Sequence, residues 1–156
     1  MKKAILHLIV FTGICTLLYS CKKSEDHTTF SPTPSITASI AESDWVATSL
    51  NAAIAKSGDT SFLEIKGWEA ASDRTIYMEL INYKSAAGKY AVDSPGVQAI
   101  AYYKKGNVIT WGKVGAITIY NVTPGLVQGT FDFSMKDNSK LIDIEVKGKF
   151  TVAPEQ

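Results

Sequence analysis

A chain of 156 residues with 46% hydrophobic side chains is long enough to bury one core, and too short for two comfortable domains. Its charges nearly cancel, with 16 basic and 15 acidic residues, and the basic residues form no cluster. Because nucleic-acid binding requires clustered lysine and arginine to neutralise phosphates, the composition predicts no nucleic-acid partner.

The first twenty residues have the features of a bacterial lipoprotein signal peptide. Two lysines give a positive start, and the apolar run over 4–18 is too short to span a bilayer comfortably. The run ends near Ser20, a small residue placed directly before Cys21. We therefore predict cleavage before Cys21 and lipidation of that cysteine by acyl chains such as palmitate. The expected partner is the membrane, and the expected location is the cell envelope, as an outer-membrane lipoprotein, with exposure at the cell surface as one alternative.

Residues 21–35 are polar, contain two prolines, and are predicted to be a tether between lipid and domain. An acidic pair, Glu25 and Asp26, follows the lipidated cysteine. It is either an export address or part of an ordinary solvated linker. Cleavage removes two lysines, so 14 basic residues remain against 15 acidic ones, a formal charge of about −1. The mature chain has no free thiol, because Cys15 leaves with the signal.

From residue 36 to 156 the apolar residues recur with period two, which is typical of strands with one dry and one wet face. The clearest runs are 127–136 and 142–152. Ser49 to Lys56 is rich in alanine but short and uncapped, so we predict a strand there as well. Glycine, proline, asparagine and aspartate punctuate the runs, and Gly106-Asn107 suits a tight hairpin turn. The pattern predicts an antiparallel β-sandwich of about eight to ten strands.

The final hairpin allows a prediction of register. Core-facing positions are odd over 126–136 and even over 141–152, so an odd residue must face an even one. We choose the pairing that leaves the four-residue loop 137–140. The expected pairs are Met135 with Ile142, Phe133 with Ile144, Phe131 with Val146, Gly129 with Gly148, and Asp132 with Glu145 on the wet face. The side chains expected to be buried are Phe131, Phe133, Ile144, Val146 and Phe150.

The predicted domain contains neither histidine nor cysteine, since His7 lies in the signal and His27 in the tether. This excludes Ser-His-Asp and Cys-His catalysis, and zinc sites built on these residues. We therefore expect no enzyme, no catalytic residue, no metal and no cofactor. Asp132, Asp143 and Glu145 share a predicted solvent face and could bind a hard cation, but an ordinary charged face balanced by lysines is favoured.

Aromatic side chains are the remaining candidates for a ligand site. Trp45, Trp68 and Trp111, with Tyr102 and Tyr103, could form a platform for sugar rings. Tryptophan in a small β domain more often packs in the core, because it buries a large area. Core packing is favoured for all three, and least for Trp68, which precedes a loop-like run. The candidate ligand-binding residues are therefore Trp68, Tyr102 and Tyr103.

Several short motifs carry a resemblance to a known family. They are Gly88-Lys89-Tyr90, Gly115-Ala116-Ile117-Thr118-Ile119, Val127-Gln128-Gly129-Thr130-Phe131-Asp132-Phe133 and Val146-Lys147-Gly148-Lys149-Phe150-Thr151-Val152. Over residues 36–153 the chain resembles a family of small Bacteroidota lipoproteins of unknown function, with a lipobox and a polar tether. The resemblance implies that the acidic pair after Cys21 directs the protein to the outer leaflet. Members often have Glu-Gly where this chain has Lys147-Gly148, and the family has no established catalytic residues.

Two functions stay open. The first is an outer-membrane-anchored, non-catalytic lipoprotein that binds a partner such as an envelope protein, or that has a structural role in the envelope. The alternative is a surface carbohydrate-binding lipoprotein that uses exposed tryptophan and tyrosine. A sugar platform must expose ring faces side by side, so the exposure of the three tryptophans distinguishes the two.

Overall fold

A computed structural model of the protein describes residues 32–92, 97–137 and 142–155; the predicted signal, Cys21 and most of the tether lie outside these ranges. The described residues form β1 (Ser35–Ile40), β2 (Ser43–Val46), β3 (Ser49–Ser57), β4 (Thr60–Glu69), β5 (Arg74–Ile81), β6 (Gly88–Val92), β7 (Ala99–Lys105), β8 (Val108–Thr123), β9 (Leu126–Asp137) and β10 (Ile142–Val152). A 3₁₀ turn, Ala70–Ser72, separates β4 from β5. Within these ranges, no helix is long and apolar enough to cross a membrane. The predictions of an all-β domain with eight to ten strands, and of a strand at Ser49, are confirmed.

Hydrogen bonds join the ten strands into one curled sheet in the order β2-β1-β10-β9-β8-β6-β7-β5-β4-β3. Neighbouring strands are antiparallel, except for the parallel contact of Val92 with Ala99 between β6 and β7. The chain beyond β10 reaches the opposite end of this order. The Ile54 amide donates to the Glu155 carbonyl at 2.8 Å, and the Glu155 amide donates to the Ala52 carbonyl at 3.0 Å. The sheet therefore curls back on itself where the C-terminal segment meets β3.

The core lies on the inner face of this sheet, because alternate residues of the strands point inward. The largest fully buried side chains are Trp45, Phe131, Phe133, Phe150, Ile36, Leu63, Ile65, Ile76, Met78, Leu80, Ile117 and Ile119. Core packing of Trp45 is confirmed, since only 1% of it is exposed. The predicted burial in the last hairpin is also found, with Ile144 only half-buried against the core. The outer face of the sheet is left to carry any ligand site.

The predicted register of the final hairpin is wrong by two residues, although β9 and β10 pair as expected. The observed pairs are Met135 with Ile144, Phe133 with Val146, Phe131 with Gly148, Gly129 with Phe150, and Asp132 with Lys147. They replace the predicted pairs Met135–Ile142, Phe133–Ile144, Phe131–Val146, Gly129–Gly148 and Asp132–Glu145. Asp137 pairs with Ile142 and so belongs to β9 rather than to the loop.

The physical reason for the shift is that each glycine accommodates an aromatic ring, whereas facing glycines would leave a gap. A Cβ atom on Gly148 would overlap the ring of Phe131, and one on Gly129 would overlap the ring of Phe150. The two rings also stack on each other, with centroids 6.5 Å apart and planes 18° from parallel. The shift also places Lys147 opposite Asp132, which replaces a like-charge pair with an opposite-charge one.

The prediction that Trp111 packs in the core is wrong, and an irregularity in β8 explains why. The pairing of β8 with β9 shifts between Gly112 and Val114, as at a β-bulge. Gly112 points inward before the shift and Ile117 points inward after it, so the core parity changes within the strand. Trp111 therefore lies on the outer face, where 50% of its side chain is exposed. The predicted hairpin turn is confirmed, because Lys105 pairs with Val108 and Gly106 has a positive φ of 58°.

Candidate ligand-binding face

Three aromatic side chains form a row across the outer face of the sheet. Tyr77 of β5 pairs with Tyr102 of β7, and Tyr102 pairs with Trp111 of β8. The two tyrosine rings stack with centroids 4.8 Å apart and an interplanar angle of 14°. The Tyr102 and Trp111 rings meet nearly edge to face, with centroids 5.2 Å apart at 71°. Such contacts hold aromatic rings in defined orientations, so the row is a preformed surface.

The tryptophans supply the free ring surface of this face. Tyr102 lies between Tyr77 and Trp111 in the row, so neighbouring rings occupy both of its sides. Among the described residues, Trp111 has a ring partner on one side only. Trp68 of β4, which is 40% exposed, lies in the next row along the strands. Three strand spacings separate Trp68 from Trp111, which places them about 15 Å apart. This separation suits an extended ligand rather than a single small ring.

A depression of about 400 Å³ lies beside Trp68. Its lining consists of Ser49, Leu50, Asn51, Lys66, Trp68, Asp73, Thr75 and Lys104. Thr75 pairs directly with Trp68 on one side and with Lys104 on the other. It is only 5% exposed although it belongs to the outer face, so it forms the floor between these two larger side chains. The depression is thus walled by an indole and rimmed by amine, hydroxyl and amide groups.

Backbone and side-chain hydrogen bonds fix the position of Trp68. The Thr48 amide donates to the Trp68 carbonyl at 2.8 Å, and the Thr48 hydroxyl donates to the same carbonyl at 3.1 Å. The turn that follows is braced by Glu69, whose carboxylate accepts from Arg74 Nε at 2.7 Å and also from the Ser72 hydroxyl. The hydrogen bond from Arg74, followed by that from Ser72, lowers the pKa of Glu69. Arg74 is therefore committed to the brace and not to a ligand.

Acidic and basic side chains occupy different parts of this face. Lys66 pairs with Tyr77 at the β4 end of the aromatic row, Lys104 lies in the next row with Trp68, and both line the depression. Glu64 and Glu79 face each other across β4 and β5 on the opposite side of the row from the depression. The Tyr77 hydroxyl donates to Glu79 at 2.7 Å. Burial, followed by this hydrogen bond to a carboxylate, raises the pKa of Tyr77, which keeps its hydroxyl protonated. The Tyr77 side chain is thus neutral, and the lysines provide the positive charge of this face.

The structure brings together two of the three predicted ligand-binding residues. Trp68 and Tyr102 share the outer face, whereas Tyr103 is partly buried and packs against the core on the inner face. Burial raises the pKa of Tyr103, against an opposing effect of Arg74. Tyr77 is a further member of the row and is not among the predicted ligand-binding residues. Its position between Ile76 and Met78 indicated an outward side chain, but its contact with Tyr102 depends on the pairing of distant strands.

The predicted acidic face is occupied by a lysine. Lys147 Nζ lies 2.8 Å from a carboxylate oxygen of Glu145 and 3.9 Å from one of Asp132. The hydrogen bond to Glu145, followed by the charge of Asp132, raises the pKa of Lys147. In the described part of the chain, no group of three or more histidine, cysteine, aspartate or glutamate side chains is placed to hold a metal ion. These residues form an ordinary charged face.

The unequal exposure of the tryptophans predicts a fluorescence result. Trp45 is 1% exposed, whereas Trp68 and Trp111 are 40% and 50% exposed. Acrylamide should therefore quench about two-thirds of the native tryptophan population readily and leave a blue-shifted remainder. A Trp68→Phe/Trp111→Phe variant should retain only the protected emission, and Trp45→Phe should retain only the accessible emission. Uniform quenching in the folded wild type would contradict the assignment.

The chain belongs to a family defined by a domain of unknown function, DUF6252, whose model matches residues 32–154. The match covers every strand of the sheet and therefore also the aromatic row and the depression. Comparison with curated proteins finds no match, and comparison with solved structures finds none either.

Proposed function

We propose that the protein is a non-catalytic carbohydrate-binding lipoprotein, anchored to the bacterial outer membrane through Cys21. The observation that carries the proposal is the exposure of Trp68 and Trp111 on one face of the sheet. A ring face of tryptophan is broad and apolar and can cover the C–H face of a sugar, while nearby polar groups bind its hydroxyls. The separation of about 15 Å between the two indoles favours an oligosaccharide over a monosaccharide.

The proposed lipid anchor at Cys21 is inferred from the sequence. The positive start, the apolar run and the Ser20-Cys21 junction together support lipidation, and the resemblance to Bacteroidota lipoproteins supports delivery to the outer membrane. Acyl chains contribute about 0.8 kcal/mol per buried CH₂, so several chains anchor the protein stably. The polar, proline-containing composition of residues 21–35 supports a linker role between the lipid and the domain. Loss of membrane association in a Cys21→Ala variant is the expected consequence.

The absence of histidine and cysteine from residues 36–156 supports a binding role without chemistry. Glu64 and Glu79 occupy directly opposite positions on β4 and β5 of the outer face. A glycosidase mechanism would need one acid on each side of the bond to be cleaved. Both acids project from adjacent strands of the same open face, so they do not enclose a sugar linkage between them. Turnover of any glycan that Glu64→Gln or Glu79→Gln abolishes would overturn the non-catalytic proposal.

The direct test is binding of the purified domain to a glycan array, beside a Trp111→Ala variant. We expect Trp111→Ala to weaken binding of the best oligosaccharide at least about tenfold, because a stacked aromatic anchor dominates such contacts. Tyr120→Ala is the matched control, since Tyr120 lies on the same strand with similar exposure, 54% against 50%, but outside the row. Equal binding by wild type and Trp111→Ala would contradict the proposal.

A protein partner is the second candidate, and one observation favours it. Ile109 is 48% exposed and lies on the same face as Trp111, two residues away on β8, and exposed aliphatic side chains contribute to protein interfaces. Two results together would favour this candidate over carbohydrate binding. The folded domain would bind no glycan on the array, and the Ile109→Asp substitution would abolish co-purification of an envelope protein.

A further inference from the structure

We propose that the oligosaccharide is acidic, and that Lys66 and Lys104 beside Trp68 select the carboxylates of its uronic-acid units. This inference rests on the proposed carbohydrate-binding function and adds the class of ligand. The depression of about 400 Å³ combines an indole wall with two amines and the polar groups of Ser49 and Asn51. A neutral sugar would need the indole and the polar groups alone, so the lysines are the feature to be explained.

The two amines are available to a ligand. Among the described residues, neither Lys66 nor Lys104 forms a salt bridge. Arg74, by contrast, is bound to Glu69, with 2.6 Å between a guanidinium nitrogen and a carboxylate oxygen. Lys104 belongs to the same cross-strand row as Trp68, and Lys66 lies two residues before Trp68 on its own strand. Both lysines therefore reach the rim of the depression from opposite sides of its Thr75 floor.

The shape of a stacked sugar brings its carboxylate to these amines. A ring that lies flat on the Trp68 indole directs its substituents sideways, because the ring face is occupied by the stacking contact. The carboxylate of a uronic acid is such a substituent, and a lysine at the rim can meet it with a charge-assisted hydrogen bond. Glu64 and Glu79, beyond the aromatic row, repel the same carboxylate and thereby favour the orientation toward the lysines.

Asp73 is the carboxylate that lines the depression. It can accept hydrogen bonds from sugar hydroxyls, but its charge opposes that of the ligand. The net charge of the lining is +1, from two lysines and one aspartate. An Asp73→Asn variant keeps a hydrogen-bonding side chain of similar size and removes the repulsion. We expect it to bind the acidic ligand about threefold more tightly and the neutral ligand unchanged.

The experiment compares two forms of one sugar chain, oligogalacturonate and its fully methyl-esterified derivative, titrated into the purified full chain. The two share their rings and linkages and differ in charge. We expect the acid to bind about tenfold more tightly than the ester, and the difference to disappear at about 0.5 M salt because exposed charges are then screened. Lys66→Gln/Lys104→Gln should remove the preference without weakening ester binding. Lys149→Gln, on the outer face of β10, should change neither.

Each outcome separates this inference from the function on which it rests. Equal affinity for acid and ester, lost together in Trp68→Ala, would overturn the acidic preference and leave carbohydrate binding standing. A preference that survives in the double lysine variant would overturn the assignment of the carboxylate site to the depression. If neither form binds and the glycan array also finds no ligand, the carbohydrate-binding proposal fails together with this inference.

Discussion

Replacing Gly148 with alanine should lower the free energy of unfolding by about 3 kcal/mol, at the upper end of what overpacking usually costs. A Cβ atom at this position would overlap the Phe131 ring on one side and the Thr37 carbonyl oxygen on the other. The ring belongs to β9 and the carbonyl to β1, so both neighbours of β10 would have to move. The sign is opposite to the ordinary effect of glycine in a strand, where alanine is the more stabilising residue.

Gly88→Ala is the matched control for this prediction. Its added Cβ would lie 3.5 Å from the Tyr90 ring, an ordinary van der Waals distance. We expect it to be neutral, or stabilising by about 0.5 kcal/mol, through the reduced entropy of the unfolded chain. Urea unfolding monitored by circular dichroism measures both variants. A Gly148→Ala protein as stable as wild type would mean that Phe131 does not face residue 148, and the observed register would then be wrong.

Shortening the ring should not rescue Gly148→Ala, because the Thr37 carbonyl is part of the backbone and cannot be trimmed. A Gly148→Ala/Phe131→Leu variant should therefore be less stable than either single variant. The double variant therefore tests whether residue 148 must be glycine because of both neighbours, the ring and the backbone carbonyl, or because of the aromatic ring alone. The same reasoning applies to Gly129, whose added Cβ would meet the Phe150 ring and lie 2.6 Å from the Thr118 carbonyl oxygen.

The register error shows where period-two patterning stops being informative. Alternation fixes which residues face the core, so it requires odd residues of one strand to face even residues of the other. A shift of two residues preserves that rule, and four-residue loops at 137–140 and at 138–141 are equally acceptable. The register is decided by which side chains face each other across the two strands. The observed register pairs glycine with phenylalanine and Asp132 with Lys147, and both are better pairs than those of the predicted register. Both comparisons could have been made from the sequence alone.

Other features were beyond local sequence reasoning. The turn between β1 and β2 is made by Ala41 and Glu42, with φ of 48° and 66°, although neither residue favours the left-handed region. The flanking strand is hydrogen-bonded on both edges, and the Ala41 amide donates to the Glu145 carbonyl at 3.1 Å. Tertiary pairing therefore imposes a turn that the sequence does not signal. No glycine or asparagine marks this position, whereas Gly106 does mark the hairpin after β7.

The candidate site was only partly predictable for the same reason. Trp68 and Tyr102 could be named from residue type, because few side chains in this domain can form a ring platform. Their neighbours could not be named, since Tyr77, Tyr102 and Trp111 are brought into one row by the pairing of β5, β7 and β8. The outward position of Trp111 depends further on the irregularity after it, which reverses the parity of β8. A local pattern predicts the face of a residue only between such irregularities.

Truncating Phe133 to alanine should lower the free energy of unfolding by about 3–5 kcal/mol, the largest single effect that we expect in this protein. The side chain is 1% exposed and faces Val146 across β9 and β10. Its ring lies 6.1 Å from that of Phe131, between centroids, and packs over the backbone at Gly112, where an added Cβ would lie 3.2 Å from it. The expected loss of stability has two parts: the transfer free energy of the removed ring, and the cost of the cavity left behind. The three surrounding strands cannot move together far enough to fill that cavity.

Asp132→Ala, one residue earlier, is the matched control and should change stability by no more than about 0.5 kcal/mol. Asp132 faces solvent, and Lys147 Nζ lies 3.9 Å from its carboxylate with both side chains more than half exposed. Lys147 also keeps its closer partner Glu145, so the substitution strands no charge. Chemical unfolding of the two variants side by side measures the contrast. Similar losses in both would mean that the two faces of β9 are not divided into core and solvent. A loss confined to Phe133→Ala would mean that the stability of this hairpin comes from its aromatic inner face.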